Sequence, residues 1–243
     1  MVSLITKTPP KDAPHITLRL RYTKTGALAY ISHLDVLRTF QKALNRAGLP
    51  LAYSEGFSPH PKLTFAAPLA VGQESLSEYL DVRLAREVDP AEAMRALNAT
   101  LPSGLGITAA GYPTAKFSVI DRADYEITLR TVGADAALCE RAVELLSRRP
   151  LLVFKRSKAG DRDVDVSGNI LSVGGEYRDG AIRLAVTLRA EGGAFLNTDY
   201  LLAVLRRELG ILSHDPLTES ATVLRTALAD AQGSHFTEED AYV

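Results

Sequence analysis

The sequence predicts an α+β chain built from two consecutive ferredoxin-like halves. Two observations carry this expectation. Residues 16–110 alternate strand and helix patterns in the order β-α-β-β-α-β, the signature of that fold. The same order recurs over residues 125–228, as a repeat of architecture rather than of obvious sequence. A length of 243 residues, 46% of them hydrophobic, suffices for two small cores.

The first half opens with Ile16, Leu18, Leu20 and Tyr22 alternating as a half-buried strand. Ser32, with Asp35 three residues on, resembles a capping box with Asp in place of Glu. Leu34, Leu37, Phe40, Leu44 and Ala47 follow at helical spacing, and Gly48 closes the helix. Leu51–Tyr53 is extended. The stretch from Gly56 to Lys62 holds Pro59 and Pro61, which exclude a helix and a central strand, so a loop is expected. Leu63–Ala67 and Ser77–Leu84 read as strands. Asp89-Pro90 starts a helix through Leu101, and Leu105–Ala110 is the last strand.

A turn-rich boundary is expected near Gly111–Phe117. Beyond it, Tyr125–Val132 reads as a strand and Ala134–Arg149 as a helix. Leu151–Lys155, Val164–Val173 and Ala181–Arg189 read as extended segments. Asn197 caps a helix over Thr198–Leu209 that Gly210 closes, and Thr222–Leu228 is the final strand. The expected organisation is a flexible leader over residues 1–14, domains over 15–113 and 117–229, and an acidic mobile tail over 230–243.

Composition narrows the function. No apolar run approaches the roughly eighteen residues that span a bilayer, and no signal-peptide pattern opens the chain, so a cytoplasmic protein is expected. The single cysteine, Cys139, cannot build a disulfide frame, a cluster or a cysteine zinc site, and it reads as a small buried hydrophobe. No cofactor and no metal are expected. Net charge is −1, but residues 1–72 carry nine Lys/Arg against three acids, a balance of +6 that leaves −7 for the rest. Such asymmetry suits a polyanion on one side of the molecule, or an ordinary solvated face.

The most unusual run is Tyr53–Gly72, and around it lies the longer stretch Tyr30–Val82. That stretch contains Ser32-His33-Leu34-Asp35, Gly56-Phe57-Ser58-Pro59-His60-Pro61-Lys62, Ala67-Pro68-Leu69 and Glu78-Tyr79-Leu80-Asp81. On these motifs the chain resembles a radical-SAM-associated family of unknown function, the stand-alone form of the C-terminal part of B12-binding radical SAM proteins. The resemblance covers roughly residues 19–82. In the second half it is loose: a Lys/Arg-rich segment before Val164–Ile170. It implies a radical SAM protein as partner, and a setting of tRNA or rRNA modification or RNA processing. Any cluster chemistry would belong to that partner, since this chain lacks the cysteines for it.

The residues themselves suggest an RNA or phosphate site. A helix start at Ser32 and His33 presents free N–H groups suited to phosphate. Arg19, Arg21, Lys24, Lys42, Arg46 and Lys62 would surround it, with Ser58 and His60 in the loop. Phe57 could stack on a base or staple the loop to the core. Lys155, Arg156, Lys158 and Arg162 form a second basic cluster on an expected hairpin. Structural readings compete: Ser32 and Asp35 as caps, His33 and His60 as loop hydrogen-bonders. Catalysis by His33 or His60 is a further candidate, as is a metal held by His33, Asp35 and His60. The preferred reading is an RNA-binding accessory protein without catalytic activity of its own. The alternatives are a protein adaptor that touches no RNA, and an endoribonuclease resembling CRISPR repeat-processing enzymes, with His33 as base.

Overall fold

A computed structural model describes residues 16–155, 160–190 and 195–233. The expected leader lies outside the described residues, as does the tail beyond residue 233. The chain forms a mixed α+β structure with one large sheet, a small two-stranded sheet and four α-helices among the described residues.

In the first half, β1 (Ile16–Lys24), β2 (Leu63–Phe65), β3 (Gln73–Leu84) and β4 (Leu105–Gly111) accompany α1 (His33–Arg46) and α2 (Pro90–Asn98). β1 lies between β4 and β3, and β2 also pairs with β3, all antiparallel. In the second half, β5 (Arg122–Arg130), β8 (Ile170–Arg178), β9 (Ala181–Arg189) and β10 (Ser220–Ala229) accompany α3 (Ala136–Leu146) and α4 (Asp199–Leu209). Here β5 lies between β10 and β9, and β8 pairs with β9, again antiparallel. The halves share one sheet. Val223–Arg225 of β10 pair in parallel with Gln73–Ser75 of β3.

Each half keeps its own apolar core. Leu18, Leu20, Phe40, Leu44, Leu80 and Val82 centre the first, and Ile127, Leu146, Leu184, Leu201 and Leu205 lie within the second. α1 buries Val36, Phe40, Ala43 and Leu44; Leu34, assigned by its spacing to the apolar face, is exposed instead. Its cap is as expected: Asp35 N–H donates to Ser32 Oγ at 3.2 Å, and the Ser32 hydroxyl donates to the Asp35 carboxylate.

The second half departs from the sequence reading in three places. The segment expected as one strand, Val164–Val173, is two: β7 (Arg162–Asp165) and the start of β8, separated by a 3₁₀ turn over Ser167–Asn169. Asp165 causes the break, because one carboxylate oxygen accepts from both Leu151 N and Ser167 N. β7 then pairs with β6 (Leu152–Lys155) outside the main sheet. α3 is shorter than expected, starting after an Asp135 cap and ending at Leu146. The cap residue of α4 is Thr198, although the Asn197 side chain still accepts from Asp199 N.

Candidate functional site

The proline-rich loop is an ordered tongue. A bridge between Tyr53 and Pro61 closes its base. Ser54 N–H donates to His60 O, His60 N–H donates to Ser54 Oγ, and His60 Nδ1 meets the same hydroxyl at 2.9 Å. Tyr53 ties the tongue to α1 by donating to Asn45 Oδ1 at 2.7 Å. His60 is therefore a loop-closing residue. Ser58 lies on the exposed tongue, and Phe57 is fully exposed, so it does not staple the loop to the core.

Beside the tongue, Arg38, Lys42 and Arg46 form one exposed stripe along α1 at a spacing of four. Next to them a cavity of about 400 Å³ opens between α1 and β2. Its lining includes Gln41, His60, Lys62 and Arg83. His60 and Lys62 thus share one groove with Gln41 of α1, and Lys42 and Arg46 are exposed on that same helix.

Other expected members are elsewhere. Arg19, 1% exposed, grips Asp81 with two N–H groups at 2.7 and 2.9 Å, donates to Ala115 O at 2.8 Å, and lies over the Phe117 ring. The segment read as a boundary covers it. Lys24, 2% exposed, donates to Ala29 O and Gln73 O. Neither can meet a polyanion at the surface, so part of the charge asymmetry is internal. Arg21 is half-buried beside them on β1. His33 packs edge-on against Phe65 at 4.8 Å, and burial lowers its pKa, which keeps the imidazole neutral near pH 7. Lys155 is exposed on β6 and faces Arg162 of β7; Arg156 and Lys158 lie outside the described residues. Among the described residues no three His, Cys, Asp or Glu side chains gather as a metal site, and His33 and His60 have separate partners.

The sequence reading missed a second constellation, at the seam between the halves. Arg225 donates to Glu78 Oε1 at 2.9 Å, to Ala67 O at 3.1 Å, and through Nε and Nη2 to the Tyr125 hydroxyl. Its side chain is 1% exposed and that of Glu78 2%. Burial opposes the Arg225 charge, yet Glu78 and Tyr125 outweigh it and hold the pKa above the usual arginine value. Burial pushes the Glu78 carboxyl up, against the pull of Arg225, Ser75 and Lys24. Burial also lowers Lys24. A register shift makes this possible: Tyr22 opposes Glu78 but Lys24 opposes Ser75, so β3 carries one extra residue. A signal did exist in the sequence. Lys24 continues the Leu18-Leu20-Tyr22 alternation, Glu78 precedes Leu80-Val82-Leu84, and Arg225 follows Val223. Each charge occupies the apolar register of its strand.

Residues 17–196 match the family model of an uncharacterized protein conserved in bacteria, DUF2344. The chain belongs to this family. No curated protein matches it. Among solved structures it is similar to a chain of a Cbf5-Nop10-Gar1 complex, at 11% identity over 94% of this chain, with a TM-score of 0.48. The chain spans 55% of that chain's length. An unknown protein from Galdieria sulphuraria matches at 13% identity over 87% of this chain and 99% of its own, with a TM-score of 0.25. DyPB from Rhodococcus jostii RHA1 matches at 12% over 93% and 97%, with a TM-score of 0.21. Scores at this level carry no argument about fold or activity.

The DUF2344 match takes in the tongue, the α1 stripe, Lys24 and Glu78, and ends before Arg225. Chemically, the tongue side offers exposed cations and an exposed ring to a polyanion. At the seam the buried charges of Arg225 and Glu78 are spent on each other and on Tyr125 and Ala67. No helix among the described residues is long and apolar enough to cross a membrane.

Proposed function

We propose that this member of DUF2344 is a cytoplasmic RNA-binding accessory protein, contacting RNA across the tongue and the outer face of α1. The observation that carries the reading is the stripe of Arg38, Lys42 and Arg46 on α1, the helix that walls a groove lined by Lys62 and Arg83, with Phe57 exposed on the tongue whose His60 lines the same groove. Cations at helical spacing suit successive phosphates, and a fully exposed ring in a closed loop suits base stacking. We read each half as a ferredoxin-like unit, with the β6–β7 pair as an insertion in the second; the antiparallel strand order of each half supports this reading. The motif resemblance of residues 19–82 supports a radical SAM protein as partner, in tRNA or rRNA modification or RNA processing. On this reading the chain supplies RNA contact and the partner supplies the reaction.

The test is equilibrium binding of total cellular RNA and single-stranded oligonucleotides at low salt. Binding should weaken steeply with salt, and each reversal among Lys42→Glu, Arg46→Glu and Lys62→Glu should lower the salt slope by roughly one. Phe57→Ala should weaken binding with little change in slope. Affinity no tighter than that of a neutral control protein overturns the RNA reading and leaves a protein adaptor.

A further inference from the structure

The groove at the tongue carries two like charges in direct opposition. Leu63 of β2 pairs with Val82 of β3, and Arg83 N–H donates to Lys62 O at 3.0 Å, so Lys62 and Arg83 stand opposite each other one step further along. Residues so placed send their side chains to the same face, with Cβ atoms about 5 Å apart. Two cations in that relation repel, and an anion set between them turns the repulsion into attraction. Both line the groove, and its described lining holds no carboxylate. Asp81, two residues along β3 on the same face, is already engaged by two N–H groups of Arg19. Arg83 is exposed, and its guanidinium is steadied by donating to Thr17 Oγ1 on β1. One such bond out of five N–H groups leaves donors for an anion.

The same groove is also apolar. Leu37 of α1, Pro61 and Leu63 line it, and the two leucines are only half-buried. A flat ring laid against them would take further apolar surface out of water. Gln41 and Thr64 add an amide and a hydroxyl that can meet the edge of a ring. The volume, about 400 Å³, sits near the lower end of ligand pockets, so it suits one small unit and not a folded polymer. The ligand that matches this lining joins a flat ring to an anion. A nucleotide has that chemistry. A duplex keeps its rings paired and stacked inside, and must turn a base out before it can offer one.

We infer that the groove holds one unpaired nucleotide of single-stranded RNA, with its phosphate at Lys62 and Arg83 and its base against Leu37 and Leu63. This deepens the RNA reading of the tongue side and rests on it. The selection is for an unpaired chain and not for a sequence, because every base has a flat apolar face and the lining fixes no pattern of donors and acceptors.

The experiment titrates the full chain with a short mixed-sequence oligoribonucleotide, the same strand annealed to its complement, and a strand of equal length with abasic riboses. The single strand should bind roughly tenfold tighter than the duplex and than the abasic strand, which keeps the phosphates and lacks the rings. Uridine monophosphate should compete with the single strand, and uridine should compete less. Arg83→Ala should weaken the single strand roughly tenfold and lower the salt slope by roughly one. Gln41→Glu, nearly isosteric, sets a carboxylate in the groove and should weaken it severalfold with the thermal midpoint unchanged, which covers the case where another variant fails to fold. Equal binding of the single strand and the abasic strand, or of the single strand and the duplex, overturns the inference and leaves the RNA reading standing. So does a loss with Lys42→Glu and Arg46→Glu that neither Arg83→Ala nor Gln41→Glu reproduces. If no RNA binds but uridine monophosphate saturates a site that Gln41→Glu weakens, the RNA reading fails and the groove serves a free nucleotide. If neither binds, both fall.

Discussion

Arg225 on β10 meets Glu78 on β3 at 2.9 Å across 147 residues of chain, and both side chains are almost fully out of water. Removing one member leaves the other charge buried without its partner. Glu78→Ala should therefore lower unfolding stability by roughly 3–5 kcal/mol, whereas the double replacement Glu78→Leu with Arg225→Met should cost much less. Urea unfolding of the three proteins checks this. A loss under about 1 kcal/mol for the single variant would mean that the pair does not hold the seam.

Glu219, just before β10, sets part of the acid stability. Its carboxylate accepts from the Thr131 hydroxyl and from the backbone N–H groups of Val132, His214 and Asp215. The Thr131 hydrogen bond leads in lowering its pKa from 4.5 to about 2. The folded value lies below the unfolded one, so the contribution is present above about pH 4.5 and is lost as pH falls toward 2. Glu219→Gln should flatten the loss of stability across that window. An unchanged acid profile in the variant would contradict the assignment.

Gly175 on β8 faces the core of the second half. A Cβ there would come within 2.8 Å of Val143 Cγ2 and 2.9 Å of Leu184 Cδ2. Gly175→Ala should destabilise by roughly 1–3 kcal/mol through overpacking. Its neighbour Gly174 has open space at the same atom, so Gly174→Ala is the control and should leave the thermal midpoint nearly unchanged.

Cys139 on α3 should resist thiol reagents in the native state. The residue is buried, and burial, with Glu140 and Glu176 nearby, pushes its pKa up. Labelling should be slow until urea unfolds the chain. Rapid modification under native conditions would show that α3 opens locally.

Much of the first half was legible in the sequence because each element carries its own local signal. The Ser32 and Asp89 caps, the Leu18-Leu20-Tyr22 alternation and the paired prolines at 59 and 61 need no knowledge of the rest of the chain. The insertion in the second half was not legible. Alternation over Val164–Val173 cannot show that Asp165 will bind two N–H groups and break the strand. The tongue side was half legible. Exposed cations on α1 follow from helical spacing, but Arg19 and Lys24 are buried by tertiary context, Arg19 beneath Ala115–Phe117 and Lys24 against Ala29 and Gln73. The seam depends on partners far apart in sequence, and a charged residue in an apolar register was its only local trace.

The parallel pairing of β10 with β3 has a consequence for synthesis on the ribosome. The strand that bridges the halves comes after all the others among the described residues. Until it emerges, Gln73–Ser75 of β3 and one edge of β5 wait unpaired, and Glu78 waits without Arg225. Open strand edges invite pairing with other chains, so the nascent protein passes through an aggregation-prone interval that ends only when residues 220–229 arrive. Slow translation of that last segment would lengthen the interval, and a chaperone that covers β3 would shorten its risk.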